Sequence, residues 1–294
     1  DGDRDIQLLS PDLGVCREER TMSERDGYQH GVPCWVDTWR ADPEAAIGFY
    51  APLFGWEIVG ERAPGAEDAH FMCTLRGRDV AGLGERPKGA PEPAAWGTYV
   101  WVDDADAAAA RASAEGGAVI AEPFDSLDGG RMAILADPEG AVLGVWQPGE
   151  HRGAELVNEP GAWSMSSLMG RDVEGAQRFY GDLFGWRAET FGMGDAEGVL
   201  WRLEGFVGGE PEQPVPRDVV ATMLPLGDEG TRAHWSVDFW VGDVDAAVAA
   251  APGLGGTVIT PPYDIPGTPL RQAVLADPDG ATFSATQVVV PRDA

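Results

Sequence analysis

A chain of 294 residues is long enough for two ordinary domains with filled cores. Its 44% hydrophobic and 24% charged residues read as globular, with no apolar run near the roughly 20 residues a membrane-spanning helix needs. The formal charge of −28 argues against a nucleic-acid partner, whose affinity comes largely from Lys and Arg neutralising phosphates, and favours a neutral or cationic ligand over an anionic one.

Residues 1–27 are polar and irregular and are expected to lie outside the fold as a tail, with Met22 as a natural start. Three cysteines, Cys16, Cys34 and Cys73, are odd in number and sit in no paired motif, which points to a reducing, cytoplasmic setting without a disulfide framework. The first apolar run, Cys34–Arg40, reads as a strand. Asp42 follows as a helix N-cap, because a short carboxylate accepts the free N–H groups of a first turn, and Pro43 suits the next position. Ala46, Ile47, Phe49, Tyr50, Leu53 and Phe54 then fall at helical spacing and predict one buried face. The same strand-then-Asp signal returns at Thr98–Val102 with Asp104, at Met165–Met169 with Asp172, and at Val237–Val241 with Asp243. Gly116-Gly117 and Gly255-Gly256 read as helix C-caps. Asp137-Pro138-Glu139-Gly140 and Asp277-Pro278-Asp279-Gly280 read as tight turns between antiparallel strands.

Self-similarity is the clearest signal. FYAPLFGW at 49–56 recurs as FYGDLFGW at 179–186, WVDDADAA at 101–108 as WVGDVDAA at 240–247, and LADPEGA at 135–141 as LADPDGA at 275–281. The order is kept, so residues 28–150 and 161–294 are two copies of one domain, joined by a Gly-, Pro- and charge-rich linker over 151–160. Each copy splits again into two β-α-β-β-β units. The fold class is therefore α+β, with four βαβββ modules in two tandem domains.

A strand, an Asp-capped helix ending in FY, LFGW, and a second module closing on ADPxGA together closely resemble the vicinal-oxygen-chelate (glyoxalase/bleomycin-resistance/dioxygenase) superfamily. The resemblance covers nearly all of residues 28–290. Gly31–Asp37, Gly130–Gln147 and Leu156–Trp163 are similar to segments of its two-domain actinobacterial "hydroxylase" branch, which includes accessory proteins of anthracycline pathways. The resemblance implies two modules per copy enclosing a cleft, with a divalent metal held by His or Glu on first strands and Glu on last strands. Carried onto this chain, those positions are Trp35, Gly97 and Gly144 in the first copy and Met165, Ser236 and Ser284 in the second. None is an imidazole, carboxylate or thiolate, so no metal and no other cofactor is expected. His30, His70, His151 and His234 show no ligand spacing.

Alternation along the strands places Trp35, Asp37, Trp39, Gly97, Tyr99, Trp101, Gly144 and Trp146 on one face of the first copy, an aromatic slot made roomy by glycine. The matching face of the second copy carries Met165, Ser167, Met169, Ser236, Asp238, Trp240, Ser284 and Thr286. Trp56 and Trp186, present in both copies, read as structural. Candidate ligand-binding residues are thus Trp35, Asp37, Trp39, Tyr99, Trp101 and Trp146, with Met165, Met169, Ser236, Asp238, Trp240 and Ser284. Asp37 and Asp238 are the candidates for acid/base work, since a desolvated carboxyl holds its proton more tightly. No GxSxG, P-loop or dinucleotide fingerprint is present. The expected function is sequestration of a planar aromatic, cationic natural product, in self-resistance or beside a pathway enzyme. A metal-free tailoring enzyme on an aromatic polyketide is the alternative, and a metal-dependent glyoxalase or dioxygenase the weaker one.

Overall fold

The computed structural model describes residues 23–60, 70–86, 95–126, 129–193, 196–208, 217–227 and 230–289. Met22, Cys16 and the rest of 1–22 lie outside the described residues. The first copy runs β1 (Pro33–Arg40), α1 (Pro43–Phe54), β2 (Glu57–Val59), β3 (His70–Leu75), β4 (Arg78–Glu85), β5 (Trp96–Trp101), α2 (Ala105–Ala114), β6 (Ala118–Ser126), β7 (Gly130–Ala136) and β8 (Val142–Gln147). The second repeats it as β9 (Trp163–Gly170), α3 (Val173–Phe184), β10 (Arg187–Met193), β11 (Ala196–Arg202), β12 (Val219–Pro225), β13 (His234–Trp240), α4 (Val244–Ala250) with a short 3-10 turn (Ala251–Leu254), β14 (Thr257–Asp264), β15 (Leu270–Ala276) and β16 (Thr282–Val288). The module pattern read from the sequence is the one found, four times.

Local chemistry sets the helix ends. The carboxylates of Asp42, Asp104, Asp172 and Asp243 accept from the backbone N–H of Ala45, Ala107, Gly175 and Ala246 at 2.8–3.0 Å. Gly55 and Gly185 end α1 and α3 in the left-handed conformation, at φ 73° and 76°. Each copy forms one eight-stranded sheet, in the order β2-β3-β4-β1-β5-β8-β7-β6 and its equivalent β10-β11-β12-β9-β13-β16-β15-β14. At the centre β1 runs antiparallel to β5, while β1–β4 and β5–β8 are parallel.

The cores are shared between copies rather than private to each. Phe49, Tyr50, Phe54, Trp56 and Trp96 of the first copy pack with Phe239 and Phe283 of the second in one cluster. Phe179, Tyr180, Phe184 and Trp186 pack with Val100, Leu135, Leu143 and Val145 in the other. Helices α1 and α3 thus pack between the sheets, and the opposite face of each sheet is the one on which the family resemblance places a cleft. Trp56 Nε1–H donates to Gly161 O and Trp186 Nε1–H to Gly31 O, both at 2.6 Å, tying each LFGW turn to the other copy.

Two segments read as peripheral are built in. Ala154, Leu156 and Val157 of the linker are buried. Residues 23–27 of the tail pair with that linker: Val157 N–H donates to Ser23 O at 3.0 Å and Arg25 N–H to Glu155 O at 2.9 Å. Backbone pairing and three apolar side chains outweigh the polar composition from which both were set apart.

Candidate functional site

The strand registers assemble both predicted linings. In the first copy Trp35 faces Tyr99, Tyr99 lies beside Gly144, Trp101 beside Trp146, and Asp37 opposite Gly97. In the second Met165 faces Asp238, Asp238 lies beside Ser284, Ser236 opposite Ser167, and Trp240 beside Thr286. Met169 lies on the same face, opposite His234. The two aspartates are not equivalents: Asp37 matches Ser167, and Asp238 matches Tyr99.

The first cleft is closed by its own side chains. Trp35, Asp37, Tyr99, Trp101 and Trp146 are each only 4–6% exposed, and Trp39 is half-buried. The glycines there receive rings rather than leaving space. A Cβ on Gly144 would lie 2.1 Å from the Tyr99 ring, one on Gly84 2.4 Å from Trp39, and one on Gly130 2.2 Å from Trp146. Asp37 Oδ2 accepts from Tyr99 Oη–H at 2.9 Å and Trp39 Nε1–H at 3.0 Å. Its Oδ1 is buried with no hydrogen-bond partner among the described residues. Burial pushes the Asp37 carboxyl up to about 7, with the Tyr99 and Trp39 hydrogen bonds and the Arg40 charge opposing. The linker completes the closure, a feature no residue pattern announced. His151 meets the Trp35 ring edge-on at 4.4 Å between centroids, and Arg152 lies over Trp101 at 5.6 Å.

The second cleft is the more accessible. Met165, Met169, Ser236, Asp238, Trp240 and Ser284 are all half-buried. Asp238 Oδ1 accepts from Thr286 Oγ1–H at 2.7 Å, and Thr286 Oγ1 in turn accepts from Gln272 Nε2–H at 2.9 Å. Tyr263 donates its hydroxyl hydrogen to Gln272 Oε1. Asp238 Oδ2 accepts from Ser164 Oγ–H at 3.2 Å. Burial pushes this carboxyl up to about 7 as well, with the Thr286 and Ser164 hydrogen bonds opposing, so both protonation forms are present near neutral pH. Gln272, Tyr263 and Ser164 were missed in the sequence. Their signal is comparative: at the matching places the first copy has Met132, Phe124 and Cys34.

The positions that the family resemblance assigns to a divalent metal hold Trp35, Gly97, Gly144, Met165, Ser236 and Ser284, a donor set that does not fit one. Among the described residues, no three His, Cys, Asp or Glu side chains converge in a metal-holding group. No helix among them is long and apolar enough to cross a membrane. Cys34 and Cys73 are free, buried thiols.

Comparison with known proteins agrees with this layout. Residues 35–145 match the Glyoxalase/Bleomycin resistance protein/Dioxygenase superfamily, and residues 153–286 match the glyoxalase-like domain family. The chain is 39% identical over 267 residues to the putative glyoxylase CFP32 of Mycobacterium tuberculosis, covering 90% of this chain and 97% of that one. It is 35% identical over 274 residues to the anthracycline biosynthesis protein DnrV of Streptomyces peucetius, covering 89% and 94%. Among solved structures, the Mn(II)-bound glyoxalase of Novosphingobium aromaticivorans is similar in fold, with a TM-score of 0.61 at 17% identity over 89% of this chain and 83% of that one. So is 2,2',3-trihydroxybiphenyl 1,2-dioxygenase of Sphingomonas wittichii, with a TM-score of 0.58 at 14% identity over 88% and 91%.

Proposed function

The chain belongs to the glyoxalase/bleomycin resistance protein/dioxygenase superfamily, and from that premise we propose that it is a metal-independent protein that binds a planar aromatic natural product in its second cleft. The observation that carries this reading is the contrast between the clefts. The first is packed shut by its own rings, whereas the second leaves Met165 and Trp240 half-buried beside Asp238 and Met169 half-buried farther along the same face. Thioethers and an indole conform to a flat hydrocarbon surface, and the serines and Asp238 offer hydrogen bonds to its oxygens or to an amino group. The similarity to an anthracycline biosynthesis protein supports a role in making an antibiotic or in self-protection against it, in concert with a pathway enzyme.

The test is a titration of chelator-treated protein with an anthracycline, followed through tryptophan fluorescence. Saturable quenching, weakened at least tenfold in Trp240→Ala, is the expected result. Quenching that appears only after Mn(II) or Fe(II) is added would overturn metal independence. Equal affinity in wild type and Trp240→Ala would move the site away from the second cleft.

A further inference from the structure

We propose that the second cleft also moves a proton on the molecule it holds: Asp238 takes a proton from the carbon between a ligand carbonyl and a C=C bond and returns it to the far carbon of that C=C bond, a double-bond isomerisation through a dienolate. The inference rests on the reading of this cleft as the binding site and extends it to chemistry.

The geometry points there through a directed chain of side chains. Gln272 Nε2–H donates to Thr286 Oγ1, which commits the Thr286 hydroxyl hydrogen to Asp238 Oδ1 at 2.7 Å. Tyr263, at the far end, is 39% exposed and fixes the other end of the Gln272 amide. Oδ1 of Asp238 is therefore occupied. Oδ2 has only the 3.2 Å bond from Ser164, whose hydroxyl is shared with the Asp238 carbonyl oxygen at the same distance. That leaves Oδ2 as the atom able to take and release a proton.

The first copy shows that the fold does not need this chain. Tyr99 stands where the second copy has Asp238, Trp146 at Thr286, Met132 at Gln272 and Phe124 at Tyr263, in matching strand registers. The relay of Thr286, Gln272 and Tyr263, replaced in the other copy by an indole, a thioether and a phenyl ring, is placed to serve Asp238 rather than for packing. Ser284, next to Asp238 in register, supplies a hydroxyl donor on the same face for the ligand oxygen.

In the step itself the C–H bond breaks, its electron pair forms a C=C bond to the carbonyl carbon, the C=O π pair moves onto the oxygen to give a dienolate, and the proton goes to Asp238 Oδ2. As the oxygen pair re-forms C=O, the C=C bonds shift along the dienolate, the far carbon takes the proton from Oδ2 with the pair released there, and the carboxylate is regenerated. Atoms and charge balance without an oxidant, a reductant or a second substrate.

The experiment uses 2-tetralone, a bicyclic ketone whose acidic carbon lies between its carbonyl and its benzene ring, in D2O, with exchange at that carbon read by NMR and binding read by tryptophan quenching in the same samples. Wild type is expected to bind it and to accelerate exchange over buffer. At 2-tetralone concentrations that saturate the quenching of each protein, Asp238→Asn should lose exchange about 100-fold or more, the scale of general acid/base catalysis. Asp238→Ala should regain exchange with added formate. Thr286→Val, acting on a positioning residue, should lower kcat with KM changed less than twofold. Binding by wild type without accelerated exchange overturns the proposal and leaves the binding reading standing, as does equal exchange in wild type and Asp238→Asn. Absence of quenching by both 2-tetralone and an anthracycline overturns the binding reading and this proposal with it.

Discussion

Tyr50 on α1 donates its hydroxyl hydrogen to Asp277 Oδ2 at 3.0 Å, joining two residues 227 positions apart. Arg40 Nε–H reaches the same oxygen at 2.7 Å, with both side chains fully buried. Asp277 Oδ1 meanwhile closes its turn, accepting from Asp279 N–H at 3.1 Å and Ala281 N–H at 2.9 Å. The motif is reciprocal, since Tyr180 Oη–H donates to Asp137 Oδ2 at 2.9 Å. Its electrostatics are not, because Gly170 stands where symmetry would put a second Arg40. Burial holds the Asp137 carboxyl above its ordinary value, with the turn amides and Tyr180 opposing. Removing the guanidinium strands a buried charge, so Arg40→Met is expected to cost about 3–5 kcal/mol. Tyr50→Phe should cost about 1.5–3 kcal/mol, as for a hydrogen bond to a charged group. Urea denaturation measures both, and an Arg40→Met loss below that of Tyr50→Phe would contradict the argument.

Shared cores carry a second consequence. A chain cut to residues 23–157 keeps a complete sheet but exposes Phe49, Tyr50 and Phe54, whose partners Phe239 and Phe283 are gone. Such a fragment is expected to show no cooperative melt as a monomer, whereas mixing it with residues 158–294 should restore one. A sharp, concentration-independent transition of the fragment alone would show that each copy has a sufficient core of its own.

The local grammar of the chain was legible because it is local. All four Asp caps follow from signals within a few residues of each other, and the four-module order from the recurrence of such short signals along the chain. The Asp137 and Asp277 turns were read correctly as turns, yet their Oδ2 atoms serve the other copy, a role set by residues more than 40 positions away. The lining of both clefts followed from strand alternation. What alternation could not give was whether the side chains fill their cleft, since glycine beside tryptophan describes an open slot and a closed one equally well. Here van der Waals packing of rings onto glycine backbone decides for closure in the first copy.

That closure makes Gly144 sensitive. A methyl group there would lie 2.1 Å from Tyr99 Cδ1, inside a site where Tyr99 is also fixed by its bond to Asp37. Gly144→Ala is expected to destabilise the protein by about 1–3 kcal/mol, the usual range for overpacking. The matching change in the second copy, Ser284→Ala, falls on a half-buried position and should cost less than about 1 kcal/mol. Thermal melts of the two variants compare the clefts directly, and equal losses would mean that the first cleft yields as easily as the second.

Asp37 gives the closed cleft a pH signature. Its folded-state carboxyl stands near 7 against an ordinary 3.8. Below about 3.8 the folded and unfolded chains both keep the proton. Between 3.8 and 7 only the folded chain keeps it, so the stability Asp37 contributes falls as pH rises and is lost above about 7. Asp37→Asn removes the titration while keeping an amide oxygen to accept from Tyr99 and Trp39. Relative to wild type, the variant is therefore expected to gain on the order of 1–3 kcal/mol between pH 5 and pH 8. Urea titrations at each pH measure the difference. Parallel stability curves would mean that Asp37 ionises in the folded protein as it does in water, and that its unpartnered Oδ1 is reached by solvent after all.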